Sequence, residues 1–136
     1  QRHILSLSPP INLDPKWFQH YGPYTVTKYG MSMLTISMAA EYKRYGIAVN
    51  SLWPQTLIST AAVEFEGGGK AALEKGRKPQ IMADAAYEIL TTDNCELSGE
   101  VVIDENMLRN RGVTDFDHYR YSDDPSKKLM NDLFID

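Results

Sequence analysis

Apolar positions recur at helical spacing in some stretches and run unbroken in others, and the switches between the two patterns lay out the elements. Positions 3–8, His3-Ile4-Leu5-Ser6-Leu7-Ser8, form a short apolar run closed by Pro9-Pro10, which predicts a strand ending at Ser8. Positions 11–22 read as a loop with Asp14-Pro15 as a helix start, and its Trp17, Phe18 and Tyr21 either line a pocket or cap a core. From Pro23 onward Val26, Tyr29, Met33, Ile36 and Ala40 recur at spacings of three and four until Gly46, which predicts a long helix. A second set, Met31, Leu34, Met38 and Tyr42, makes that helix apolar on more than one side. One side packs on a sheet, leaving the Met31, Leu34 and Met38 side for the core of a larger domain or for another subunit.

The segment Ile47–Trp53 is the next predicted strand, stopped by Pro54, and the short turn at Gly46 makes strand, helix and strand a parallel crossover unit. Ala61 to Pro79 reads as two helical pieces around Gly67-Gly68-Gly69. Those glycines follow no strand and match neither phosphate-binding pattern, so they read as a connecting loop. Positions 81–90, with Ala83, Ala86, Tyr87 and Leu90 on one side, predict a further helix, and Val101–Ile103 a third strand. From Asp104 the chain turns polar, anchored by Met107, Leu108, Phe116 and Tyr119, and Leu129, Leu133 and Phe134 suggest a last short helix. The fold class is α/β with a parallel sheet.

Composition narrows the function without naming it. With 136 residues, 43% of them hydrophobic, the chain has room for one packed domain. A net charge of −4 gives no basic footprint for nucleic acid or an anionic membrane. The one cysteine, Cys95, has no disulfide partner, and His3, His20 and His118 form no metal-ligand spacing with it; a buried thiol and surface imidazoles are expected. Neither a membrane span nor a signal peptide is visible, so an intracellular protein is expected. The chain opens on Gln1-Arg2-His3 at a buried strand, which reads as a cut from a longer parent.

Candidate chemistry lies at the start of the long helix. Tyr24 and Lys28 are four residues apart, one turn apart on one face, so a phenol and an ammonium can share a cleft. A nearby cation favours the phenolate and makes a Tyr usable as a general acid or base. Taken alone, the spacing is also that of a packing residue beside a solvated charge. Ser8 falls at the carboxyl end of a strand, the rim where open α/β sheets bind ligands, and either touches substrate there or merely ends the strand.

The order strand with terminal Ser, Tyr-x-x-x-Lys helix, strand with Val49-Asn50 and Pro54, helix, Gly99, strand resembles the carboxyl-terminal half of the short-chain dehydrogenase/reductase family, a doubly wound, Rossmann-like parallel sheet. Gly30, Ala39, Glu41, Gly46 and Ile47 stand at that family's spacing without a gap. Ser8-Pro9-Pro10, the turn Trp53 to Thr56, Thr60-Ala61-Ala62 and Ile103-Asp104-Glu105-Asn106 look like its hydroxysteroid dehydrogenase-like branch. The resemblance implies that Tyr24 exchanges the proton, that Lys28 binds cofactor ribose and lowers the Tyr24 pKa, and that Pro54, Thr56 and Leu57 lie along the nicotinamide of NAD or NADP. It also implies an alcohol or carbonyl substrate, lipid-like by the branch, with peroxisome or mitochondrion as compartment. A homo-oligomer formed through helix 24–44 is expected. The family's catalytic Ser position falls on Pro9, Gln55 replaces its usual Gly, and Glu105-Asn106 its usual Gly pair. Its glycine-rich pyrophosphate loop and catalytic Asn would lie upstream of Gln1, so the isolated chain is expected to be unstable and to bind no cofactor.

Overall fold

The computed structural model describes residues 2–93 and 96–136; Cys95, expected as a buried thiol, lies outside them. Its centre is β2 (Ile47–Trp53), flanked in one parallel sheet by β1 (Arg2–Leu7) and β3 (Val101–Ile103). The register runs from Arg2 opposite Ile47 to Leu7 opposite Leu52, and from Ser51 opposite Val101 to Trp53 opposite Ile103. All of β2 beyond Ile47 is buried, as expected of a parallel strand covered on both faces.

The connection from β1 to β2 carries α1 (Lys16–Gln19) and α2 (Gly22–Tyr42). Asp14 starts α1, its carboxylate accepting the Lys16 N–H at 3.0 Å. Pro23 sits in the first turn of α2, where its missing N–H costs nothing. A 3-10 turn, Lys43–Tyr45, ends the helix, and Gly46 at φ 65° donates its N–H to the Lys43 carbonyl and turns the chain into β2.

Of the apolar set Val26, Tyr29, Met33, Ile36 and Ala40, only Tyr29 lies on the face of α2 turned to the sheet. That face is Thr25, Tyr29, Ser32, Thr35 and Ala39, all buried, whereas Val26 and Met33 are 64% and 60% exposed. Small residues let the helix lie close to the strands, and their hydroxyls are satisfied locally: Ser32 donates to the Pro9 carbonyl at 2.5 Å and Thr35 to the Met31 carbonyl at 3.0 Å. Met31 and Leu34 face outward as expected, and Met38 is half-buried.

The other face of the sheet is covered by α5 (Gln80–Thr91) and α6 (Asp104–Asn110), with α3 (Ala61–Glu66) and α4 (Gly69–Leu73) leading into them. Leu52, Ile81, Ala85, Ile89, Met107, Leu108, Phe116 and Tyr119 form the main core. Each large apolar side chain there contributes about 1.5 to 3 kcal/mol. The buried stripe of α5 is thus Ile81, Ala85 and Ile89; Ala83, Tyr87 and Leu90, grouped with Ala86 by sequence spacing, are exposed.

Three further expectations are corrected. The stretch after β3 is a helix, begun by Asp104, whose carboxylate accepts the Glu105 N–H at 2.6 Å. Residues 129–134 form no helix but an irregular strap, because Met130, Leu133 and Phe134 each bind a different part of the molecule. His3 is no surface imidazole: both ring nitrogens are enclosed and have no partner among the described residues.

Candidate active site

All three strands run the same way, so Leu7, Trp53 and Ile103 end at one rim, and α2 begins beside it with Tyr24 and Lys28. A cleft of about 590 Å³ opens there, lined among others by Tyr24, Lys28, Trp53, Pro54, Leu57 and Asp132. The Lys28 ammonium donates to the Leu7 carbonyl at 3.2 Å and lies 5.5 Å from the Trp53 ring centroid and 6.0 Å from that of Tyr24. The helix and the strand end thus hold the ammonium between two aromatic rings.

The Tyr24 phenol is pushed above its ordinary value, first by burial and then by the Asp132 charge. The Lys28 ammonium, expected to lower it, has its hydrogen bond to the Leu7 carbonyl. Asp132 itself is pushed up to about 6, chiefly by burial and further by Asp104, against the Leu133 N–H that binds its Oδ1 at 2.6 Å.

The strap that brings Asp132 here is pinned along its length. The Leu57 N–H donates to the Met130 carbonyl at 2.9 Å, the Asp132 N–H to the Gln55 carbonyl at 3.1 Å, and Trp53 Nε1 to the Leu133 carbonyl at 2.9 Å. Phe134, 1% exposed, is surrounded by Trp17, Tyr29 and Trp53, and its ring stacks on Tyr24 at 6.3 Å and 14°. The aromatic loop residues Trp17 and Phe18 therefore cap this small core, while Tyr21 stays exposed.

The cleft's opposite wall is the loop after β2. The Arg77 N–H donates to the Leu57 carbonyl at 2.8 Å and the Ser59 N–H to the Arg77 carbonyl at 2.9 Å. Gly76 permits this approach: a Cβ there would stand 2.7 Å from the Leu57 carbonyl oxygen and 2.3 Å from Ser59 Oγ. Arg77 is buried and paired with Glu105 of α6 at 2.5 Å, which ties the loop to the main core.

Of the residues expected at the site, Tyr24, Lys28, Pro54 and Leu57 meet in the cleft. Ser8 does not: it is fully buried beneath the rim, its hydroxyl has no partner among the described residues, and its carbonyl accepts from Ser51 Oγ at 3.1 Å. Thr56 is also buried, in an antiparallel bridge with Asn131 outside the cleft lining. The N–H groups of Gln55 and Leu57 are engaged by Asp104 Oδ1 at 2.9 Å and by Met130, so neither is free for a carboxamide. Asp132 and Phe134 carried no site signal at the level of sequence, since their meaning depends on contacts with residues such as Gln55 and Trp53, far away in the chain. Among the described residues no group of three or more His, Cys, Asp or Glu could hold a metal, and no helix is long and apolar enough to cross a membrane.

Sheet and crossover helices together match the carboxyl-terminal half of the short-chain dehydrogenase fold. A short-chain dehydrogenase from Mycobacterium thermoresistibile superposes with a TM-score of 0.85 at 42% identity, over 98% of this chain and 46% of its own. A structure from Xanthomonas campestris matches with a TM-score of 0.87, over 98% of this chain and 48% of its own. The chain is similar to hydroxysteroid dehydrogenase-like protein 2, being 50% identical to that of Xenopus laevis and 46% to that of Homo sapiens over 134 residues. It covers 98% of itself and 31% of each of those relatives. No family model matches.

Proposed function

We propose that the chain supplies the proton-transfer half of an oxidoreductase domain that moves a hydride between NAD or NADP and an alcohol or carbonyl carbon of a lipid-like compound. The observation that carries this reading is Tyr24 and Lys28 set one turn apart in an apolar cleft at the rim where three parallel strands end. The cleft is of small-molecule size and offers one cation, Lys28, with the Pro54 and Leu57 side chains opposite, a set that suits ribose hydroxyls and a flat apolar ring. Lys28 would hold the ribose and Pro54 and Leu57 the nicotinamide, which supplies or accepts the hydride when the cofactor is bound.

Tyr24 carries the proton at Oη. Held above its ordinary value, the phenol stays protonated at neutral pH and is suited to donate to a carbonyl oxygen as negative charge builds there. In the oxidising direction the same oxygen takes a proton, and the nearby Lys28 charge favours the phenolate that this needs. Trp53, Leu57 and Leu133 give the cleft apolar walls around Tyr24, which is 43% exposed. The dinucleotide-binding half is proposed to adjoin β1, which among the described residues is paired on one side only.

The test is oxidation of NADH or NADPH by apolar ketones with the full-length protein. Turnover with one of them is expected, and Lys28→Ala should weaken cofactor binding as well as rate; unchanged cofactor affinity in that variant argues against the ribose role.

A second reading, subunit association with or without catalysis, is supported by the outward side of α2, where Val26, Met33, Leu34 and Ile36 are 64%, 60%, 59% and 53% exposed. A second copy of the chain is its proposed partner. Leu34→Glu should then lower the mass found by sedimentation, and an unchanged mass rejects the contact.

A further inference from the structure

We propose that Asp132 is a specificity-determining residue, presenting its carboxyl to a hydrogen-bond donor on the substrate next to the carbon that reacts at Tyr24. This rests on the oxidoreductase reading and deepens it. The cleft is mainly apolar, lined by residues such as Leu7, Trp53, Ile58, Val63 and Met82. Such a lining holds a hydrocarbon body but does little to tell one ketone from another. Among the lining residues only Asp132 and Glu66 carry carboxyls, and Asp132 is the one close enough to Tyr24 for its charge to act on the phenol.

Its placement is fixed from both sides rather than left to a mobile chain end. Met130 is bound to Leu57 and to Lys75, Asn131 bridges to Thr56, Leu133 accepts from Trp53, and Phe134 fills the aromatic cage. One Asp132 oxygen is used within the strap, accepting the Leu133 N–H, and among the described residues no hydrogen bond engages the other. A ligand seated in the cleft takes water from that oxygen, so one that supplies a donor in its place is favoured over one that does not. Held rigidly, the group reads position as well as chemistry. The substrate class that fits is an apolar ketone or secondary alcohol bearing a hydroxyl beside the reacting carbon.

The probes are α-hydroxyacetophenone and acetophenone, which differ by that hydroxyl. Their binding to the full-length protein is followed by the fluorescence of Trp53, which lines the cleft. The parent should bind the hydroxylated probe about 10- to 100-fold more tightly, the range for a hydrogen bond to a charged group. Asp132→Asn, which keeps the oxygen that accepts from Leu133, should reduce that ratio to within a few-fold of one. Asp132→Ser should do the same should the first variant fold poorly. A ratio unchanged by both substitutions overturns the proposal, as does a parent protein that binds the two probes equally or binds neither. Failure of the oxidoreductase reading is separately visible, as binding of the probes with no oxidation of either cofactor.

Discussion

Replacing Phe134 tests whether the strap is an anchored part of the site, and two substitutions at this position should rank in an unusual order. The ring is 1% exposed and its centroid lies 5.1 Å from that of Tyr29, 5.5 Å from Trp17, 5.9 Å from Trp53 and 6.3 Å from Tyr24. Removing it as Phe134→Ala should cost about 3 to 5 kcal/mol. The backbone at 134 has φ 69°, a left-handed conformation that costs a residue with a Cβ roughly 1 to 2 kcal/mol. Ala keeps that cost and Gly escapes it, while Gly adds about 0.5 to 1 kcal/mol of entropy lost on folding. Phe134→Gly should therefore be as stable as Phe134→Ala or up to about 1.5 kcal/mol more stable, whereas at an ordinary position Gly is the worse of the two. Urea unfolding of the full-length protein, followed by the fluorescence of Trp17 and Trp53, measures both variants. A Gly variant less stable than the Ala variant by about 0.5 kcal/mol or more refutes the strain argument. A loss below about 1 kcal/mol in either refutes the anchor.

Gly76→Ala should destabilise by about 1 to 3 kcal/mol, because its Cβ would meet the Leu57 carbonyl oxygen at 2.7 Å and backbone cannot swing aside; an unchanged unfolding midpoint contradicts this. Asp132 gives a pH signature. Its carboxyl is raised to about 6 in the folded state, so the folded protein holds this proton more tightly than the unfolded chain does. The resulting penalty is absent below about pH 4, grows as pH rises through about 6 and is complete above it. Asp132→Asn, which removes this penalty while Tyr24, Lys28, Glu66 and Asp104 remain around the position, should gain stability relative to the parent between about pH 4 and 7. A difference that is flat with pH would show that Asp132 titrates normally.

The parts legible in the sequence were those set by local rules. Pro54 after an apolar run, Gly46 after a helical period and the four-residue step from Tyr24 to Lys28 each act within a few residues, and the structure shows β2, α2 and a shared cleft. The inward face of α2 was misread because hydrophobic periodicity tracks apolar residues, and here Thr25, Ser32 and Thr35 are buried with their hydroxyls satisfied while Met33 and Ile36 face out. The helix after β3 was hidden by Asp104, a polar residue that is in fact buried in its first turn. Ser8 and Thr56 sat at plausible rim positions, but side-chain direction is not readable from a strand's end, and both point into packed surroundings. The strap was illegible for a different reason. Leu129, Leu133 and Phe134 stand at helix spacing, yet Leu133 and Phe134 have their partners Trp53 and Trp17 far away in the chain, and no local pattern encodes that pairing.

The central claim is that Tyr24 Oη transfers the proton in a hydride-transfer reaction, and Tyr24→Phe in the full-length protein tests it most directly. The substitution removes one oxygen and leaves the ring that stacks on Phe134. Turnover of a ketone with the preferred nicotinamide cofactor should fall by at least about 100-fold while cofactor affinity stays nearly unchanged. Turnover within a few-fold of the parent would contradict the assignment.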